Sequence, residues 1–185
     1  HWHFDEVMHM RETAANICDA NGEAILWTNG MEIFGKHGEY VVDTIAYSDD
    51  ALSYWNWFNV EDIGPIGFPY HDGAIILPIP DHAGEFSVLY HYLESVTQAY
   101  DGIPKYMETK IKMQSDSSFS LIYKDSVFGE YDYFSGTLSA TRHANGRDWW
   151  VLGMEASGKK YFSFLFNPEG IHLDHIGEID IAMKE

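Results

Sequence analysis

Apolar and polar positions alternate along this chain in short runs of four to eight residues, and tight-turn residues separate the runs. That period of two belongs to half-buried β-strands, not to helices. The first runs are residues 14–18 and 23–28, with Asp19-Ala20-Asn21-Gly22 between them, and a second turn at Asn29-Gly30 leads into Met31-Glu32-Ile33-Phe34. Asn-Gly takes up positive φ at little steric cost, so these segments predict three successive antiparallel strands. Residues 48–70 are rich in Trp, Tyr, Asp, Gly and Pro without a steady period, which predicts a long irregular excursion.

The pattern then restarts twice. Residues 73–78 form an apolar run, Pro80-Asp81-His82-Ala83-Gly84 a turn, and residues 85–92 a long strand, with further strands expected over 106–113 and 119–123. The third restart has strands over 138–142, 149–154 and 161–166, with turns at residues 143–148, at Ser157-Gly158-Lys159 and at Asn167-Pro168-Glu169-Gly170. The small residue of each opening strand, Ala14, Ala74 and Ala140, recurs at spacings of 60 and 66 residues. Self-similarity at that interval, with about four short strands per unit, predicts an all-β fold of β-propeller type, while a β-sandwich is the competing arrangement. The units are expected over about 12–70, 71–135 and 136–185, within one domain. Three blades of four antiparallel strands do not close a ring, so the expectation is a larger, seven-bladed ring of which this chain is a piece, or which other chains complete.

Composition narrows the partners. With 29 acidic and 11 basic side chains the formal charge is −18, which repels nucleic acid phosphates and anionic membrane surfaces. Aromatic residues make up 16% of the chain, a content that suits pleated, packed surfaces. Cys18 is the one cysteine, so neither an intrachain disulfide nor a thiolate metal cluster can form. No apolar run reaches the roughly 18 residues of a membrane-spanning helix, and no signal-peptide pattern is present. The start at His1 is that expected of a processed chain or of a piece of a longer one.

Three stretches carry a family resemblance: Cys18-Asp19-Ala20-Asn21-Gly22 through Gly30, Asp72-Gly73-Ala74-Ile75-Ile76-Leu77-Pro78-Ile79-Pro80, and Ala140-Thr141-Arg142-His143-Ala144-Asn145-Gly146-Arg147-Asp148-Trp149-Trp150. They resemble the N-terminal propeller region of large secreted Bacteroidetes proteins that carry a C-terminal type IX secretion sorting domain. The resemblance covers most of residues 12–171 and is most specific from Arg142 to Val151. It implies a cell-surface or released protein, and no catalytic residues. The chain departs from the family at Asp72, where a Gln usually precedes the Gly-Ala strand, and in its excursion around Trp55 and Trp57.

Candidate chemistry is sparse. Arg142, His143, Asn145, Arg147 and Asp148 gather cations, an amide and a carboxylate at one turn, either as a recognition patch or as a turn locked by an Arg147–Asp148 or Arg142–Asp148 pair. Trp55 and Trp57, on one face if extended, are candidates for stacking on a sugar or packing on a protein. Of Trp149 and Trp150, one should be buried and the other should face the opposite way. His1 and His3 near Asp5 and Glu6, and His172 and His175 near Asp174, have spacings that a transition metal accepts, yet ten histidines produce such pairs readily. Asp19-Ala20-Asn21-Gly22-Glu23 is the nearest approach to a calcium loop, and its hairpin role already explains it. Asp148 and Glu155 would stand roughly 23 Å apart on a strand at about 3.3 Å per residue, too far for a glycosidase pair. The expected function is therefore a secreted or cell-surface binding and scaffolding module for a protein or glycan, without cofactor, with calcium as the ion its acidity suits. A carbohydrate-active enzyme or a structural subunit contacting other chains of an extracellular assembly are the alternatives.

Overall fold

The computed structural model describes residues 13–46, 71–92, 103–155 and 157–180, with backbone alone at 103, 104 and 131–136. Every regular element among them is a strand: β1 (Ala15–Cys18), β2 (Ala24–Thr28), β3 (Ile33–Gly35), β4 (Tyr40–Val42), β5 (Ala74–Pro78), β6 (Glu85–Tyr92), β7 (Ile103–Met113), β8 (Phe119–Arg142), β9 (Trp149–Glu155), β10 (Lys160–Asn167) and β11 (Gly170–Glu178). No helix among the described residues is long and apolar enough to cross a membrane.

Strands β1 to β4 form one sheet in chain order, and β5 to β11 form a second in chain order, all antiparallel. The seven-stranded sheet is two four-stranded units that share one strand. The first part of β8 pairs with β7 as far as Phe134, opposite Ile103, and the last part pairs with β9 from Leu138, opposite Gly153, to Arg142, opposite Trp149. The chain therefore holds three consecutive four-stranded antiparallel meanders, and none of them closes on itself.

Each unit has the four strands expected of it, and in the first the fourth is Tyr40–Val42, which pairs with β3 and at three residues is too short to leave a periodic signal. One expectation changes. The runs 119–123 and 138–142, expected as separate strands, belong to the single 24-residue β8. Its pairing changes over between Phe134 and Leu138.

Turn chemistry accounts for the hairpins. Gly22 and Gly146 sit at φ of 83° and 74°, the left-handed region an Asn-Gly turn requires. In the first of these, the Asp19 carboxylate accepts the N–H groups of Asn21 and Glu23, at 2.8 and 3.0 Å.

The units pack side by side with their first strands adjoining: β1 lies against β5, and β5 against β8. Hydrogen bonds tie these first strands together near their starts. Gly73 N–H donates to Thr13 Oγ1 at 3.2 Å, and Leu138 N–H donates to the Asp72 carbonyl at 2.9 Å. Burial follows from this layering. In β6 and β7 both faces are covered, so Val88, Leu89, Tyr90, Tyr106 and Ile111 are all fully buried, whereas β10 alternates, with Phe162, Phe164 and Phe166 inward. Each such side chain contributes about 1.5–3 kcal/mol by leaving water. Tyr106 stacks on Phe128 within the second unit at 5.6 Å and meets Phe164 of the third edge-on at 6.0 Å. Gly153 makes that approach possible, since a Cβ there would lie 2.7 Å from the phenol Cζ of Tyr106.

Candidate functional site

The turn between β8 and β9 holds all five residues predicted there, and its geometry shows what each does. Asn145 Oδ1 accepts the N–H groups of Arg147 and Asp148, both at 3.0 Å, and its Nδ2 donates to Asp148 Oδ2 at 2.7 Å. Its own N–H donates to His143 Nδ1 at 3.1 Å. Arg147 grips the Asp148 carboxylate with Nε at 2.7 Å and Nη2 at 3.1 Å, a bidentate pair. The guanidinium beside it, together with Asn145, holds the Asp148 carboxyl below the usual carboxylate range, and the same pairing raises Arg147. Asp148 is buried at 4% exposure, so the group at the centre of the turn is not offered to solvent.

Of the two ion pairs expected at this turn, Arg147 to Asp148 forms. Arg142 does not pair with Asp148. It donates from Nη1 to the carbonyls of Gly146 and Arg147, at 3.2 and 3.3 Å, and lays its guanidinium 4.0 Å from the Trp149 ring centre. The remaining arm of Arg147 reaches the preceding unit, with Nη1 3.1 Å from Asp81 Oδ2 in the β5–β6 turn. The cluster thus spends its polar groups on fixing a hairpin and joining it to the neighbouring hairpin. Trp149 and Trp150 do face opposite sides, but both are half-buried: Trp149 packs on the core and Trp150 beside His143 at 5.1 Å. Trp55 and Trp57 lie outside the described residues, as do His1, His3, Asp5 and Glu6.

A different place gathers unspent polar groups. An open groove of about 570 Å³ runs between the β7–β8 edge of the second unit and the β10–β11 hairpin of the third, lined among others by Glu108, Lys110, Tyr123, Val127, Glu169 and His172. Glu108 lies in its floor at 5% exposure and accepts from the hydroxyls of Ser87 and Tyr123. A carboxylate has about four acceptor positions, so two remain for a ligand's donors. Burial and the Glu108 charge push the Tyr123 phenol up, which keeps it a neutral hydroxyl donor. Lys110 Nζ stands 5.3 Å from the Tyr123 ring centre, and the Val127 and Leu173 side chains supply exposed apolar surface at 45% and 39%.

No protein family, curated protein or solved structure matches this chain. The site must be read from its own chemistry. Among the described residues no group of three or more His, Cys, Asp or Glu side chains stands close enough to hold a metal ion, and the pair His172 and His175 belongs to none. In the Asp19 turn the carboxylate is engaged by backbone N–H groups, as the hairpin reading requires. Asp148 and Glu155 sit at opposite ends of β9, each held by its own partners, Glu155 by Ser157 and Lys160.

The groove was not legible in the sequence. Its lining comes from β7, β8 and, 41 residues beyond Phe128, the β10–β11 hairpin, and the signal available was a charged residue at Glu108 inside the run 106–113, where both faces of the strand are buried.

Proposed function

We propose that this chain is part of a secreted or cell-surface β-propeller, three of whose blades it supplies, and that it binds a protein or glycan partner rather than transforming it. Three side-by-side meanders with adjoining inner strands support the propeller reading, as does the Arg147–Asp81 link between successive inner hairpins. The resemblance of residues 12–171 to secreted Bacteroidetes propellers supports the location.

The observation that carries the binding reading is the groove. It combines acceptors at Glu108, Glu169 and the Tyr123 hydroxyl oxygen, a donor at Lys110, an imidazole at His172 and apolar surface at Val127 and Leu173. Polar groups of both kinds beside apolar patches suit a neutral, hydroxyl-rich ligand, and about 570 Å³ lies within the range of small-ligand sites. The charge of −18 disfavours anionic ligands there.

Two carboxylates, Glu108 and Glu169, line the same groove, and this favours glycoside hydrolysis as the second reading. A glycan array combined with a reducing-sugar release assay separates the two. Binding without release is the expected result; release that Glu169→Gln abolishes would establish the enzyme, and no binding to any glycan or surface protein would refute the groove as the site.

A further inference from the structure

Asparagine precedes glycine three times in this chain, at Asn21-Gly22, Asn29-Gly30 and Asn145-Gly146. The glycines share a positive φ, of 83°, 84° and 74°. Their N–H groups donate over similar lengths: Gly22 to the Asp19 carbonyl at 3.0 Å, Gly30 to Thr28 Oγ1 at 3.0 Å and Gly146 to the His143 carbonyl at 2.9 Å. The backbone therefore treats the three alike, and the difference between them lies in the asparagine side chains.

Two of the three are clasped in the same way. Asn29 Oδ1 accepts the N–H groups of Met31 and Glu32, both at 2.9 Å, and its Nδ2 donates to Glu32 Oε2 at 3.3 Å. Asn145 repeats this arrangement with Arg147 and Asp148. The clasp needs an acid three residues after the asparagine, and Glu32 and Asp148 supply it. After Asn21 that position is Ala24. Here the Glu23 N–H goes to the Asp19 carboxylate, as does that of Asn21 itself, and Asn21 Oδ1 accepts no hydrogen bond among the described residues. The Asp19 carboxyl is held below its usual range chiefly by the Glu23 N–H and least by the Asn21 amide nitrogen, which faces it. Asn21, Gly22 and Glu23 are all exposed, whereas Asn29 is fully buried.

From this contrast we infer that Asn21 is a site of spontaneous deamidation in the folded chain, and that the clasp protects Asn29 and Asn145. The Gly22 nitrogen attacks Asn21 Cγ and forms the C–N bond of a five-membered succinimide. The Cγ–Nδ2 bond breaks, and Nδ2 leaves as ammonia with the proton released from the Gly22 nitrogen. Water then opens the ring at either carbonyl. One opening gives aspartate; the other gives isoaspartate, in which the main chain runs through Cβ and Cγ and is one carbon longer. Ring closure turns the side-chain amide toward the following nitrogen, so every bond of a clasp must first break. Three such bonds, one of them to a carboxylate, lower the reactive population by roughly 100-fold or more. The product adds a negative charge to a turn that already holds Asp19 and Glu23, and the isoaspartyl form lengthens it where β1 and β2 are joined. The Asp19 N–H to Glu23 carbonyl bond, 2.8 Å across the mouth of that turn, then loses its match and the hairpin loosens.

Peptide mapping with mass detection, on the folded chain held at mildly alkaline pH, tests this. Conversion of amide to acid at Asn21 should run roughly 100-fold faster than at Asn29 or Asn145, with aspartate and isoaspartate forms both present. In urea, where no clasp exists, the three rates should converge. Asp148→Ala takes away the partner of Asn145 Nδ2 and should speed conversion at Asn145 by about tenfold, while an unchanged rate at Asn29 reports that the fold is intact. Conversion at Asn29 or Asn145 that keeps pace with Asn21 in the folded chain would overturn the inference. So would a lead for Asn21 that persists undiminished in urea, because its cause would then lie in the neighbouring residues and not in the clasp. No acceleration at Asn145 in Asp148→Ala, with Asn29 still slow, would overturn protection by the clasp.

Discussion

His91 is fully buried on β6, with its ring 4.7 Å from that of Tyr106 and tilted edge-on to it. Burial pushes its imidazole down to about 3 from an ordinary 6.5. In the unfolded chain it titrates normally, so below pH 6.5 the unfolded state binds a proton that the folded state refuses. The sign is therefore fixed: the folded pKa is depressed, stability is fullest above pH 6.5, and it falls as the pH drops toward 3. The full span corresponds to about 5 kcal/mol, and the part between pH 7.5 and 5 to about 2 kcal/mol. Urea unfolding at a series of pH values checks this when compared with His91→Phe, which keeps an aromatic edge against Tyr106 and cannot take a proton. The difference between the two stability curves should slope by up to ~1.4 kcal/mol per pH unit below pH 6. A flat difference across pH 5 to 7.5 would mean that His91 reaches solvent or is charged in the fold, and would refute the closed packing of the second unit against the third.

Other perturbations test other contacts. Gly153→Ala should cost about 1–3 kcal/mol, because the new methyl meets the Tyr106 ring, which His91, Phe128 and Phe164 hold in place, and thermal unfolding will read it as a lowered Tm. Phe164→Ala empties a fully buried site and should cost about 3–5 kcal/mol in the same assay; a loss under 1 kcal/mol would mean that the interface between units is loose. Asn145→Ala removes the acceptor for two backbone N–H groups and should cost about 1 kcal/mol while speeding hydrogen exchange at Arg147 and Asp148, with no effect on ligand affinity if the turn is architectural. His172→Ala, at an exposed groove position, should instead weaken glycan binding with stability unchanged.

Much of the strand plan was legible because the chain writes it twice, in alternation and in turns. Asn21-Gly22 and Asn145-Gly146 demand their hairpins whatever surrounds them, and residues 160–167 alternate cleanly because one face of β10 is covered and the other is open. The limits arise where tertiary contact overrides the local pattern. Residues 85–92 and 106–113 do not alternate in burial, because the second unit is covered on both faces, and nothing local reveals that. Tyr40–Val42 is a strand only by virtue of β3 beside it. The residues from Arg142 to Asp148 meet at one turn, as their closeness in sequence requires. Their role was decided by a contact no single-turn reading contains, the reach of Arg147 to Asp81 in another hairpin. The groove, assembled from two units, had no contiguous signature at all.

The sharing of β8 between two units bears on how the molecule comes apart. Its early residues are held by β7 and its late residues by β9, so neither meander can fray fully without stripping an edge from the other. The first unit has no such splice, since its sheet ends at β4 and residues 47–70 intervene before β5. Cooperativity should accordingly be uneven: β5 to β11 lose their amide protection as one block, while β1 to β4 open at lower free energy, ahead of it. A backbone cut within residues 135–137 would thus be felt on both sides of the break, whereas one within residues 47–70 would leave two covalently separate pieces still held by the packing of their inner strands.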